Sequence, residues 1–514
     1  MNEQLMHLVG QRLLVGFPGT TIPDSLKEAV KKYKVGNFIL FSENVVDRAQ
    51  VRDLCAELQA LAMEYTGKPA LIAADQEGGI VNRLPKDCAI VPTALAVSAT
   101  QNPGNAYVAG KITGTELRAL GINFDLAPVL DINSNPQNPV IGARSYGDTP
   151  EKVCEYALPM IHGLNDAGVF SCAKHFPGHG DTAVDSHLGL PRVDKSLDEL
   201  EQCELIPFRE AVRAGVSAVM TTHILFPQLD DSGVPATMSR PIITGLLREK
   251  LGFDGLVCTD CMMMDAIATF YGTVKGCVAA CQANVDLLCI SHDPALAGEV
   301  AEALYAALES GELSESECRA SVERIGKLKN QLPQMPAPAF ELAGCDAFHQ
   351  TINAMRADGV THMGAPVPVL GDHPYFTGCY PFQPTLASSP VNRSLCFADW
   401  MQEKLGGTCL TTSIDPDDEE IAKSVAAAEG CSCIVLGTYN GHIKRGQMKL
   451  MKALASLGKP MVVAALRNPY DMAELPEGVC GLLAYEYNLH SLTNVADVLT
   501  GKLIPTGKLD LKLQ

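Results

Sequence analysis

Short apolar or β-branched runs recur along the first 300 residues, with stretches of helically spaced apolar positions between them. In order they are LLVGF (13–17), VGNFILF (35–41), ALIAAD (70–75), NFDLAP (123–128), VFSCAKHF (169–176), AVMTTH (218–223), GLVCTD (255–260) and DLLCI (286–290). Each reads as a strand, and the spacing between them predicts helices over 150–167 and 195–214. The first of these helices opens with Thr149-Pro150, a cap followed by Pro at the first helical position, and closes at Gly168. Eight strands alternating with helices predict an α/β chain whose residues 1–330 form a parallel (β/α)8 barrel. A doubly wound open sheet shares the same alternation. The polar residues favour the barrel: Asp75, Asp125, Lys174 with His175, His223 and Asp260 all fall at or just past strand C-termini, which a barrel gathers into one mouth.

The run QLPQMPAPAFE (331–341) has three Pro within six positions and reads as a semi-rigid linker. Beyond it, PVPVL (366–370), CIVLGTY (433–439), PMVVAAL (460–466) and GLLAYE (481–486) alternate with helical stretches, predicting a smaller α/β domain over 342–514.

Composition narrows the function. Of 514 residues 47% are hydrophobic and 19% charged, enough apolar material for more than one core. A formal net charge of −19 repels phosphate backbones and anionic lipid, so nucleic acid is not an expected partner. No run reaches the ~18 consecutive apolar residues of a membrane span. The N-terminal MNEQLMHLVGQRLLVG has acidic and polar residues where an export signal is basic, and 18 Cys are scattered without a disulfide-scaffold spacing. A reduced, cytoplasmic protein is therefore expected.

The densest candidate chemistry is AKHFPGHGDTAVDSHLGLP (173–191), a Gly- and Pro-rich segment leaving a strand at Lys174-His175. Within it Asp185 and His187 lie two apart. In an extended segment they project to one side, so the carboxylate can orient the imidazole as a proton donor and acceptor near neutrality. Taken alone, DSH is more often a surface turn with an incidental His. Asp260 closes a strand, where a carboxylate ringed by cations such as Lys174 and Arg144 stays ionised and can act as a nucleophile. An N-cap for the following MMMDAI is the other reading. The runs DQEGGIVNRL (75–84) and DINSNPQNPVIGARSYGD (131–148) add Asp75, Arg83 and Arg144, with Gly and Asn that let backbone approach a ligand. Taken singly, each Arg also fits a loop-bracing salt bridge. Cys258 and Cys261 form a CxxC around Asp260, for which a redox or metal role is the alternative to core packing.

Together, DQEGGIVNR, NSNPQNPVIGARS, KHFPGHG with DSH, and GFDGLVCTD resemble the β-N-acetylglucosaminidases of glycoside hydrolase family 3. ALRNPYDM (465–472) and the closing GKLDLKL resemble, more weakly, the second domain of its two-domain members. The resemblance implies a retaining, exo-acting hydrolase without metal or cofactor. Asp260 would form a glycosyl-enzyme, and His187, oriented by Asp185, would serve as acid and base. Asp75, Arg83, Arg144, Lys174 and His175 match positions that hold the sugar. The family's β-glucosidases, which draw a Glu acid from the second domain, are the runner-up together with β-xylosidases, and a His acid also admits phosphorolysis. Cys261 and Asn284 stand where many relatives carry other residues. A metal-dependent hydrolase using His175, His179, His187, His223 and Asp260, and a non-catalytic sugar-binding protein, are more distant rivals. Aromatic residues total 6% with one Trp, too few for polysaccharide-stacking platforms, so a small soluble glycoside is expected. With a cytoplasmic location, the first candidates are cell-wall turnover fragments bearing N-acetylmuramic acid, then chitobiose.

Overall fold

All eight apolar runs become strands of one closed, all-parallel barrel, paired in chain order with β8 returning to β1. They are β1 Leu13–Val15, β2 Asn37–Leu40, β3 Leu71–Ala74, β4 Phe124–Asp125, β5 Phe170–Phe176, β6 Ala218–Thr221, β7 Leu256–Cys261 and β8 Leu287–Ile290. The structure is a computed structural model that describes residues 2–182, 190–383 and 388–513. The strand period of two sorts side chains into two cores. Ile39, Leu71, Ala73, Phe124, Cys172, Met220, Cys258 and Leu287 fill the barrel interior, whereas Phe38, Leu40, Ile72 and Val257 pack outward under the helices. Burial on both faces is why these strands read as continuous apolar runs.

The helix expected over 150–167 is Pro150–Asp166, with the Thr149 hydroxyl accepting from the Lys152 amide at 3.3 Å and Gly168 following at φ 81°. The stretch 195–214 divides into two helices, Leu197–Glu201 and Leu205–Arg213, the first opened by a reciprocal Ser196–Glu199 capping box. Among the described residues, no helix is long and apolar enough to cross a membrane.

After helix Glu315–Lys329 the chain passes through two short 3-10 turns, Leu332–Gln334 and Phe340–Leu342. Helix Asp346–Asp358 then packs Ile352 and Met355 against the barrel's outer core. A second sheet follows: β9 Thr361–Gly364, β10 Pro374–Cys379, β11 Thr408–Thr412, β12 Cys433–Thr438, β13 Met461–Ala465 and β14 Cys480–Leu483. Its spatial order is β11-β10-β12-β13-β14-β9, parallel except for β9, which runs antiparallel to β14. The strand expected at PVPVL is absent; residues 366–370 are irregular, since Pro366 and Pro368 have no amide to donate to a ladder. Leu95, Ala96, Ala99 and Ala143 of the barrel share one core with Leu436, Val463, Met472 and Leu483 of the second domain.

The foot of β7 is fixed by a buried charge. Asp286 accepts from the Val257 amide at 2.8 Å, from Arg248 at 2.7 Å and from Arg324 at 2.8 Å, and is fully buried. Replacing it by Ala leaves two part-buried guanidiniums without their carboxylate and the Val257 amide without its acceptor. Asp286→Ala is expected to cost about 3–5 kcal/mol, read by denaturant unfolding.

Candidate active site

At the C-terminal mouth of the barrel lies a cavity of about 470 Å³. Asp75, Arg83, Arg144, Lys174, His175 and Asp260 all line it, drawn from the ends of β3, β5 and β7 and from the loops after β3 and β4. Asp185 and His187 lie outside the described residues. Asp125 and His223 do not line it. Asp125 is buried on β4 and accepts from the Gln76 amide at 3.0 Å. His223 is bonded to the Thr237 hydroxyl at 2.8 Å and to the Cys261 carbonyl at 3.0 Å, an arrangement that ties β6 to β7.

The floor of the cavity is ionic, and its centre is a residue the sequence reading passed over. Glu77 accepts from Lys174 Nζ at 2.6 Å and meets Arg144 with both oxygens, at 2.7 and 2.8 Å. Lys174 also donates to Asp75 at 2.7 Å. Burial pushes the Glu77 carboxyl upward, but Arg144 and Lys174 outweigh it and hold the group far below the usual carboxylate range. Burial likewise opposes the charges of Lys174 and Arg144; Asp75 and Glu77 for the first, Glu77 for the second, overcome it and keep both fully charged. The cations expected around Asp260 are thus committed to these carboxylates. The signal for Glu77 was its place two residues after Asp75, on the same side of an extended segment.

A second cluster stands on Asp131, also unassigned from sequence. Its Oδ2 lies 2.6 Å from His175 Nδ1, and its Oδ1 accepts from the His179 amide at 2.7 Å. This fixes the His175 ring by the nitrogen facing away from solvent and leaves the other for a ligand. His179, a further lining residue, has Nδ1 2.9 Å from the Thr182 hydroxyl. Gly180 is required here, because a Cβ on it would lie 1.6 Å from the Ile132 carbonyl oxygen. The chain is therefore tightly fixed at Gly180 against the loop after β4.

Asp260 remains on β7, and the next helix, Asp265–Ala268, takes Met264 as its N-cap, so the N-cap reading of Asp260 does not hold. Its Oδ1 accepts from the Cys261 amide at 2.7 Å. The CxxC pair is split: Cys261 lines the cavity, while Cys258 faces the barrel interior with its sulfur 3.6 Å from that of Cys172. Asn284 adopts φ 77°, the left-handed conformation that favours Gly at this position. The second domain reaches the cavity through Gln383, Ser388 and Pro390, a contribution no motif announced.

Residues 4–328 match the family described as the glycosyl hydrolase family 3 N-terminal domain. Over 524 residues the chain is 33% identical to beta-hexosaminidase A of Pseudoalteromonas piscicida, covering 91% of this chain and 86% of that one. A beta-hexosaminidase of Thiobacillus denitrificans is 36% identical over 294 residues, 56% of this chain and 80% of its own. In three dimensions the chain is similar to a glycoside hydrolase family 3 beta-N-acetylglucosaminidase from a Paenibacillus species. The TM-score is 0.91, with 37% identity and 99% of both chains covered.

One pH effect follows from the cluster around Asp131. Burial, reinforced by neighbouring His175, lowers the His179 pKa to about 4 from its ordinary 6.5. The folded protein thus holds this imidazole neutral where the unfolded chain protonates it, so its contribution is complete above pH 6.5 and is lost as pH falls toward 4. The melting temperature should drop through that window, and the drop should be smaller in His179→Asn, as scanning calorimetry at stepped pH would record.

Proposed function

The chain belongs to glycoside hydrolase family 3 and is a glycoside hydrolase, and on that premise we propose that it is a retaining, exo-acting β-N-acetylglucosaminidase of small β-linked glycosides. The observation that carries this reading is the convergence of Asp260 with Asp75, Arg83, Arg144, Lys174 and His175 on one sugar-sized cavity. In the proposed reaction Asp260 attacks the anomeric carbon. The bond to the leaving oxygen breaks as His187, held by Asp185, supplies that oxygen with a proton. His187 then takes a proton from water, the water oxygen attacks the same carbon, and the Asp260 carboxylate is released. Two inversions return the original configuration. Asp75 and Lys174, already paired, are assigned to the sugar hydroxyls, with Arg83, Arg144 and His175 fixing the ring.

Charge on the lining bears on the finer choices. Among the described residues, five carboxylates, Glu43, Asp75, Glu77, Asp260 and Asp265, face the cavity against three cations, Arg83, Arg144 and Lys174. Such a lining opposes the entry of inorganic phosphate, which favours hydrolysis over phosphorolysis. It also favours a neutral N-acetylglucosaminyl aglycone, as in chitobiose, over an anionic muramyl fragment, so the muropeptide role stands second. A cytoplasmic site of action belongs to the same proposal, supported by 18 cysteines that are all free.

Turnover of chromogenic β-N-acetylglucosaminide and β-glucoside tests the assignment. Wild type should strongly prefer the acetamido sugar; equal or better use of the glucoside would overturn it. Asp260→Ala should lose roughly three or more orders of magnitude, over about 4 kcal/mol of barrier. His187→Ala should lose much less with a leaving group that needs no proton. With phosphate added to the wild-type reaction, no sugar 1-phosphate should form.

A further inference from the structure

Both arginines of the cavity hang on barrel loops that the second domain grips. The amides of the two residues preceding Arg144 are held by side chains. The Ala143 amide donates to Asn468 Oδ1 at 2.9 Å, and the Gly142 amide donates to Asn133 Oδ1 at 3.1 Å. Asn133 is itself fixed from the second domain, donating through Nδ2 to the Tyr470 hydroxyl at 2.5 Å. Asn468 and Tyr470 follow β13 and are 2% and 4% exposed, so water does not compete for these bonds. Gly142 has φ 47°, and a Cβ there would sit 2.4 Å from Asn468 Oδ1, so the two surfaces meet without spare room.

The loop bearing Arg83 is gripped in the same way from another part of the second domain. Ser389 N donates to the Ile80 carbonyl at 2.7 Å. Its hydroxyl donates to the Asn82 carbonyl at 2.6 Å and accepts from the Asn82 amide and from Arg83 Nη1, each at 2.8 Å. One donor and two acceptor sites exhaust what a hydroxyl offers, and all are spent on this loop.

We propose that Ser389, Asn468 and Tyr470 are positioning residues through which the second domain sets the pose of Arg83 and Arg144 over the bound sugar. The inference rests on the assignment of those two arginines to sugar binding. Asn468 and Ser389 touch barrel backbone, Ser389 also touches the Arg83 guanidinium, and Tyr470 touches the Asn133 side chain that holds the Gly142 amide. Their effect is therefore exerted on how the sugar is held before reaction, and it belongs in KM more than in kcat.

Tyr470→Phe and Ser389→Ala each remove one hydroxyl with no other change of shape, and Ser389→Thr restores it. Steady-state kinetics with a chromogenic β-N-acetylglucosaminide, and calorimetric binding of free N-acetylglucosamine, are measured for each. The expected result is a roughly 5- to 10-fold rise in KM and in the sugar's Kd for Tyr470→Phe and Ser389→Ala, with kcat within about 2-fold and Ser389→Thr close to wild type. Unchanged KM and Kd in both variants would overturn the proposal, whatever the melting temperature does, because a bond serving stability alone moves only the latter. Failure of wild type to turn over or bind the acetamido sugar would instead overturn the functional reading on which it rests.

Discussion

A buried carboxylate facing two buried cations is the constraint on which the cavity floor is built. Lys174 and Arg144 are each almost fully enclosed, and an isolated charge in that position is prohibitively costly. Glu77 resolves this with both oxygens at once. Asp75, paired with Lys174, supplies the second negative charge that balances the two cations, and it stays partly exposed at the edge of the cavity, where it can meet a ligand. Geometry and charge are thereby set before any sugar arrives, which is the arrangement that favours tight, oriented binding. Lys174 comes from β5, whereas Glu77 and Arg144 stand on the loops after β3 and β4, so the ion pairs of the floor tie those two loops to a barrel strand.

The histidines that line the cavity are in a different electrostatic condition. Asp131 turns His175 toward the cavity, while His179 is kept neutral by its burial. The end of β5 and the loop that follows carry Lys174, His175 and His179 within six residues, each with its own carboxylate or hydroxyl partner. Burial and the neighbouring His175 keep His179 neutral, which limits the positive charge gathered in this segment. The segment also needs Gly180, because the chain passes against the Ile132 carbonyl too closely for any side chain.

Legibility in the sequence followed burial. Strands enclosed on both faces announce themselves as unbroken apolar runs, and all eight barrel strands were found that way. The second sheet was less visible. β10 opens on Pro374 and carries Gly378, and β11 is the half-exposed edge strand TCLTT, so neither presents a run of apolar side chains. PVPVL looked apolar enough but has two prolines where a strand needs donors. In the cavity, residues at strand ends were legible because position alone implies the mouth. Glu77 and Asp131 were not, since their importance lies in which distant cation or imidazole each meets. The bonds from Ser389, Asn468 and Tyr470 span more than 300 residues of sequence, and no local pattern encodes them.

The shared core between the two bodies limits how this chain could be divided. Leu95, Ala96, Ala99 and Ala143 are closed off only because Val463, Met472 and Leu483 lie over them. Cutting here at the proline-rich segment would uncover an oily seam, and the freed barrel would tend to self-associate before it could be assayed. The second domain is thus a fitted lid to one flank of the enzyme and not an interchangeable module.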